Sequence, residues 1–254
     1  MLYIIGLGLK PKHLTIEAIE ALKSCRKILV EDYTSGYSEG SKDDLEDMLG
    51  KSSTALSRFD VEQGFDAVLE EARKTDVALC VYGNPLNATT HIQMLLDAEK
   101  KNVKTKVVPG LSIFEFVSFT GLERYKFGRT TSIVFHEPGY EPEGFYNAIL
   151  ENKKAGLHTL CLLDIMKDEK KMMDIGHAIT LLESLEEKQE KSVLAESILV
   201  GMAGIGSSKE QIKAGTSEQL RKFPFTSYPQ SIVVCGKLNE KEIEGLKKLG
   251  GLDE

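Results

Sequence analysis

The strongest constraint on the fold is the alternation of short apolar runs with helical stretches over the first 110 residues. LYIIG at 2–6, KILVE at 27–31, DVALCVY at 76–82 and TKVV at 105–108 are β-rich and nearly continuous in apolar character. Strands of that kind are buried on both faces, which favours a parallel sheet covered by helices on each side. The intervening segments supply the helices. Thr15 can cap a stretch with Ile16, Ile19 and Leu22 on one face, and Ser41 caps a short helix that Gly50 ends. Asp60 and Gln63 form a capping box before Phe65, Val68, Leu69 and Ala72, and residues 88–101 read as a further helix. Residues 1–110 therefore form one α/β domain.

The second domain, 111–254, is less regular. Residues 112–120 should be helical, with Gly121 at the end. Strands are expected at 131–135, 159–165, 198–203 and 231–235, and helices at 144–154, 172–185, 217–222 and 239–249. A second α/β domain with a mixed sheet accommodates that order. The segment 183–192 (ESLEEKQEKS) reads as a charged helix end and surface loop.

Charge excludes one class of function. There are 14 basic and 17 acidic residues up to Gly110, and 18 and 22 after it. Neither half concentrates the Lys and Arg that phosphate neutralisation needs, so direct nucleic-acid binding is not expected. The four cysteines, Cys25, Cys80, Cys161 and Cys235, lie in or beside apolar runs and are far apart, as buried reduced thiols of a cytoplasmic protein would be. No apolar stretch approaches the roughly 20 residues of a membrane span. MLYIIGLGLK has no basic leader or small-residue cleavage site and reads as the first strand.

A parallel sheet places ligands outside the carboxyl ends of its strands. Three glycine-bearing turns fall there: Gly6-Leu7-Gly8-Leu9, the loop GNPLNATTH at 83–91, and Pro109-Gly110-Leu111-Ser112-Ile113. Glycine lets a ligand approach the backbone closely. A dinucleotide reading of the first turn fails because the third glycine of GxGxxG would be Pro11. There is no phosphate-binding GxxxxGK[ST] loop and no GxSxG nucleophile elbow. His91 reads as a hydrogen-bonded structural residue, and His13, His136, His158 and His177 are isolated. No spacing supports a zinc site, so no metal is expected.

Several blocks occur together in order: MLYIIGLGL, GNPLNATTH, Leu111-Ser112-Ile113, YKFG within 121–128, HTLCLLDI at 158–165 and IKAG at 212–215. In these the chain resembles, nearly end to end, the diphthine synthase family of class III, tetrapyrrole-methylase-like methyltransferases. The resemblance implies an S-adenosylmethionine-dependent enzyme, usually a homodimer, with two α/β domains and the cofactor in the cleft between them. It implies a protein substrate, elongation factor 2, whose modified histidine carries an aminocarboxypropyl group. The amino nitrogen of that group is trimethylated to give diphthine. Eukaryotic relatives also make a methyl ester. Family cofactor contacts fall on Leu9, Asn84, Asn87, Ser112, Ile113, Leu163, Ile205 and Gln230. No catalytic nucleophile is assigned. Asn84 stands where the family loop is normally Gly-Asp-Pro, Gln230 where it usually has His, and Asn87 where a small or apolar residue is common. Asn keeps a hydrogen-bonding oxygen without the charge. Two other readings stay open: a methylase of a tetrapyrrole, and a weakly active S-adenosylmethionine-binding protein.

Overall fold

A computed structural model describes residues 1–195 and 197–253. Two compact units are present, Met1–Glu115 and Phe116–Glu254.

The first unit is a five-stranded parallel sheet. Its strands are β1 (Leu2–Gly6), β2 (Lys27–Glu31), β3 (Thr54–Leu56), β4 (Val77–Val81) and β5 (Thr105–Val108), ordered β3-β2-β4-β1-β5. Alternation sorts the side chains onto two faces. Leu2, Ile4, Leu29, Val77, Leu79 and Val81 pack under α3 (Arg58–Glu62), α4 (Phe65–Ala72) and α5 (Ile92–Lys100). Ile5, Leu7, Ile28, Val30, Ala78 and Cys80 pack under α1 (Ile16–Ser24) and α2 (Lys42–Leu49). The expected caps hold for α1, where Thr15 accepts from Ala18 N–H, and for α2, between Ser41 and left-handed Gly50.

Three expectations need correction. The capping box is Ser57 with Asp60, in front of α3, and Gly64 separates that turn from α4. The helix expected from residue 88 starts only at Ile92, because Ala88 takes a left-handed φ of 54°. The segment expected to be one helix from Ser112 divides into α6 (Ile113–Phe116) and a 3-10 turn, Val117–Thr120, ended by left-handed Gly121.

The second unit is a mixed sheet. It contains β6 (Thr131–Ile133), β7 (Thr159–Leu163), β10 (Leu199–Ala203), β11 (Gln211–Gly215) and β12 (Gln230–Val234), ordered β11-β10-β12-β7-β6. Only β6 and β7 pair in parallel. A hairpin of β8 (Ile165–Met166) and β9 (Lys171–Met172) follows β7. The helices are α7 (Gly144–Lys154), α8 (Ile175–Gln189), α9 (Ser217–Lys222) and α10 (Glu240–Leu249). Its core joins Ile133, Tyr146, Ile149, Cys161, Ile179, Leu182 and Ile232. All four cysteines are free and buried. No helix among the described residues is long and apolar enough to cross a membrane.

A buried polar knot fastens α10. His158 and Glu242 are fully buried. Glu242 accepts from His158 Nε2 at 2.8 Å, from Glu123 N–H and Asn239 N–H at 3.1 Å each, and from the Lys126 ammonium. His158 Nδ1 accepts from Gly236 N–H at 3.0 Å, so the ring's proton sits on Nε2 and the imidazole is neutral. Alongside, a β-carbon on Gly245 would lie 2.7 Å from the Gly121 carbonyl oxygen, so only glycine permits that approach.

Candidate functional site

The three glycine turns meet at the carboxyl edge of the first sheet. β1 and β4 are parallel neighbours, and just beyond them Gly8 and Gly83 form an isolated antiparallel bridge, with bonds of 3.2 and 2.9 Å between their backbones. β5 lies on the other side of β1. A β-carbon on Gly6 would lie 2.7 Å from both Gly110 Cα and the Gly83 carbonyl oxygen. The close approach of three main chains is the reason glycine occupies these positions.

The expected contacts of this unit fall around that point. The Leu9 carbonyl accepts from Ser38 N–H at 2.8 Å and from the Ser38 hydroxyl at 2.9 Å. Asn84 Oδ1 accepts from Leu86 N–H at 3.1 Å, which folds the start of the 83–91 loop into an Asx turn. Asn87 Nδ2 donates to Ser112 Oγ at 3.1 Å. Ser112 in turn donates to Glu115 through its hydroxyl at 2.7 Å and its backbone N–H at 2.6 Å. Ile113 opens α6 directly after this chain of bonds. Ser38 and Glu115 were not among the sequence candidates. Glu115 follows Ser112 at capping-box spacing, a signal that was readable; Ser38 lies in an irregular loop with none.

The remaining expected contacts converge on one edge of the second sheet. β7 and β10 both run antiparallel to β12. Their carboxyl ends therefore share an edge with the amino end of β12. Leu163 ends β7, Ile205 follows β10, and Gln230 begins β12 opposite Ala203. All three are buried. Gln230 Oε1 accepts from Ile175 N–H at 2.9 Å and Nε2 donates to the Ser227 carbonyl at 3.0 Å. Gln230 thus satisfies the amino end of α8 and keeps one amide hydrogen and one lone pair in reserve.

The first edge is electrically neutral at the turns themselves. Residues 6–9, 83–90 and 109–113 contain no Lys, Arg, Asp or Glu. Carbonyl, amide and hydroxyl oxygens with no fixed positive charge suit a sulfonium ligand, and the glycine backbones leave room for it. No group of three or more metal-ligating side chains occurs among the described residues.

A model of the tetrapyrrole (corrin/porphyrin) methylases matches residues 1–221. The diphthine synthase of Methanocaldococcus jannaschii is 38% identical over 253 residues, 98% of each chain. The diphthine methyl ester synthase of Candida glabrata is 36% identical over 264 residues, covering 97% of this chain and 89% of that one. A crystal structure of diphthine synthase superposes with a TM-score of 0.90 at 32% identity, over 100% of this chain and 97% of the other. A family model spanning most of the chain and full-length relatives of one kind agree with the α/β architecture: the chain belongs to the tetrapyrrole methylase family and, within it, to the diphthine synthases, which are S-adenosylmethionine-dependent methyltransferases.

Proposed function

We propose that the chain trimethylates the amino group of the aminocarboxypropyl-modified histidine of elongation factor 2, giving diphthine. The observation that carries this reading is the full-length similarity to diphthine synthases. The donor contacts proposed are Leu9, Asn84, Asn87, Ser112 and Ile113 on the first unit and Leu163, Ile205 and Gln230 on the second. The protein would work in the cytoplasm as a homodimer, without a metal.

When bound, S-adenosylmethionine supplies a methyl carbon already activated by a positive sulfur. The chain's own residues then have three tasks. The Gly6, Gly83 and Gly110 backbones shape the wall against which the donor lies. Asn84, Asn87 and Ser112 offer neutral dipoles in fixed positions, which stabilise charge without a reorganisation cost. The absence of Lys and Arg from the turns spares a cationic amine and its quaternary product from repulsion. No general base is required, since an α-amino group with a pKa of about 7.7–8.0 is partly neutral near pH 7. Holding amine and methyl carbon in line at roughly 3–3.5 Å is the main contribution to rate.

The test is incubation of the protein with labelled S-adenosylmethionine and elongation factor 2 bearing the aminocarboxypropyl group, followed by mass spectrometry. Three added methyl groups on one nitrogen are expected, and no label on unmodified factor. A fourth, base-labile methyl group would mark the methyl-ester activity named for the Candida relative. Label on a porphyrinoid and none on the factor would assign the chain to tetrapyrrole chemistry.

A further inference from the structure

His91 and Glu31 form a buried pair outside the donor contacts above. His91 is 3% exposed and Glu31 1%. Glu31 ends β2, and His91 immediately precedes α5. The imidazole faces an acceptor at both nitrogens. Nδ1 lies 2.9 Å from the Pro85 carbonyl oxygen, and Nε2 lies 2.6 Å from Glu31 Oε2. A carbonyl has no hydrogen to give, so Nδ1 carries one. The Nε2–Oε2 contact then requires a second, whichever atom holds it. The other carboxylate oxygen of Glu31 accepts from the Thr34 hydroxyl. Removing the shared proton would set two lone pairs against each other and leave a buried negative charge uncompensated.

The pair grips the loop that carries Asn84 and Asn87. The Pro85 carbonyl also accepts from the Thr89 hydroxyl at 2.6 Å, so Thr89 and His91 close the loop on one oxygen. Closure has something to oppose: Ala88 is held at a φ of 54°, which a residue with a β-carbon rarely adopts. We propose that His91 is a positioning residue which, with Glu31, forms a proton-requiring latch fixing the 84–90 loop in its donor-binding form. This rests on the reading that the loop holds the S-adenosyl donor.

Among the described residues, the surrounding charges leave Glu31 as the group that sets the proton. On α3, Arg58 lies over the Tyr33 ring at 5.4 Å. On α4, Asp66 pairs with Lys101, Glu70 with Arg73 and Glu71 with Lys27. On α5, Asp97 pairs with Lys100. Asp32 and Tyr82 bond each other on the opposite face of the sheet. Burial opposes the charge of His91, but the Glu31 carboxylate and the Pro85 carbonyl outweigh it and hold the imidazole above its ordinary pKa. The proton is therefore held above the pH at which an ordinary imidazole loses it, and leaves as pH rises through that raised value.

Two measurements on the full chain test the latch from roughly pH 6, just below the ordinary histidine value, upward into the alkaline range. One is hydrogen-exchange protection of residues 84–91 in the free protein; the other is calorimetric binding of S-adenosylhomocysteine. Both should decline with rising pH in the wild type. Glu31→Gln should flatten both profiles and stay within about threefold of wild-type affinity at neutral pH. Its amide donates to a neutral imidazole Nε2 and its oxygen still accepts from Thr34. His91→Ala should bind about tenfold more weakly than the wild type at neutral pH, with a flat profile that the wild type approaches on the alkaline side, and His91→Asn, which retains a donor for Pro85, should recover part of the loss. A flat wild-type profile, an unchanged slope in Glu31→Gln, or wild-type affinity in His91→Ala overturns the latch alone. No binding by the wild type at any pH overturns the donor reading, and the latch's role in binding with it.

Discussion

Gly110→Ala tests whether the three turns must lie as close as they do. A β-carbon at Gly110 would stand 2.7 Å from the Gly6 carbonyl carbon and 2.8 Å from its oxygen, and nearer still to the Gly83 carbonyl oxygen. Carbon atoms rest at about 3.5–4.0 Å, so the turns would have to part by about 1 Å. The obstacles are main-chain atoms at the ends of paired strands, and they cannot rotate aside as a side chain would. Overpacking of this kind costs about 1–3 kcal/mol of stability. A displacement near 1 Å in a positioning site costs about 10²-fold in rate. Gly50→Ala is the control. Its φ is +66° with nothing within 4 Å, so it incurs only left-handed strain of about 1–2 kcal/mol, at the end of α2. Thermal unfolding, calorimetric binding of S-adenosylhomocysteine and kcat/KM for methyl transfer would be measured on both. Similar melting losses are expected, with binding and turnover reduced only in Gly110→Ala. Wild-type affinity in Gly110→Ala would refute the reasoning that the close approach builds the site. Equal functional losses in both proteins would trace the effect to stability.

Asn84→Asp keeps the oxygen that accepts from Leu86 N–H and adds a negative charge where the proposed site would hold a cationic donor, so S-adenosylmethionine should bind several-fold more tightly in calorimetry. Gln230→Ala leaves the buried Ile175 N–H without its acceptor and should cost about 1–3 kcal/mol in the unfolding of the second unit. Glu242→Ala strips the partner from His158 and Lys126 in a buried site and should cost about 3–5 kcal/mol, read by thermal melting. The two units should respond to pH in opposite directions. Burial holds His158 below its ordinary value against the pull of Glu242, so the unfolded chain binds the extra proton and α10 loses protection as pH falls through about 6.5. Glu242, whose burial is outweighed by Lys126 and His158 so that it titrates at about 2, adds a second loss below about pH 4.3. His91, held above its ordinary value, gives the first unit stability that is lost on the alkaline side. Protection factors resolved by segment would show both trends, and a common direction in the two units would contradict the assignment.

The central strands were legible because each is an apolar run buried on both faces, as Val77–Val81 is. The strands Thr54–Leu56 and Gln211–Gly215 were not, for a physical reason. Both lie at sheet edges and are exposed or half-buried over part of their length, so neither reads as an apolar run. That the three glycine turns gather at one edge followed from topology, because they leave the carboxyl ends of neighbouring parallel strands, where ligands of such sheets collect. The contact of Gly6 with Gly110 did not follow, because it joins turns about a hundred residues apart. His91 was readable as a structural residue, but its partner Glu31 lies on another strand, and a carboxylate closing an apolar run gives no hint of what it faces.

Two of the blocks that carry the family resemblance also do a job apart from holding a donor. YKFG and HTLCLLDI contribute Lys126 and His158 to the knot around Glu242, and Gly128 abuts the amide of Asn152. A buried ionic knot specifies its residues tightly, since losing one partner strands the others in a low-dielectric setting at a cost of several kcal/mol. Methyl transfer from an activated donor makes weaker demands on residue type. It needs shape, alignment and no opposing charge, and backbone carbonyls, amides and glycine turns can supply all three. Asn at 84 and Gln at 230 are compatible with such a site, because each preserves a hydrogen-bonding oxygen in a position fixed by the backbone. A chain with no recognisable catalytic dyad can thus belong to an enzyme family: Lys126, His158 and Glu242 hold the scaffold, and on the proposed reading the reaction is left to the geometry of the turns.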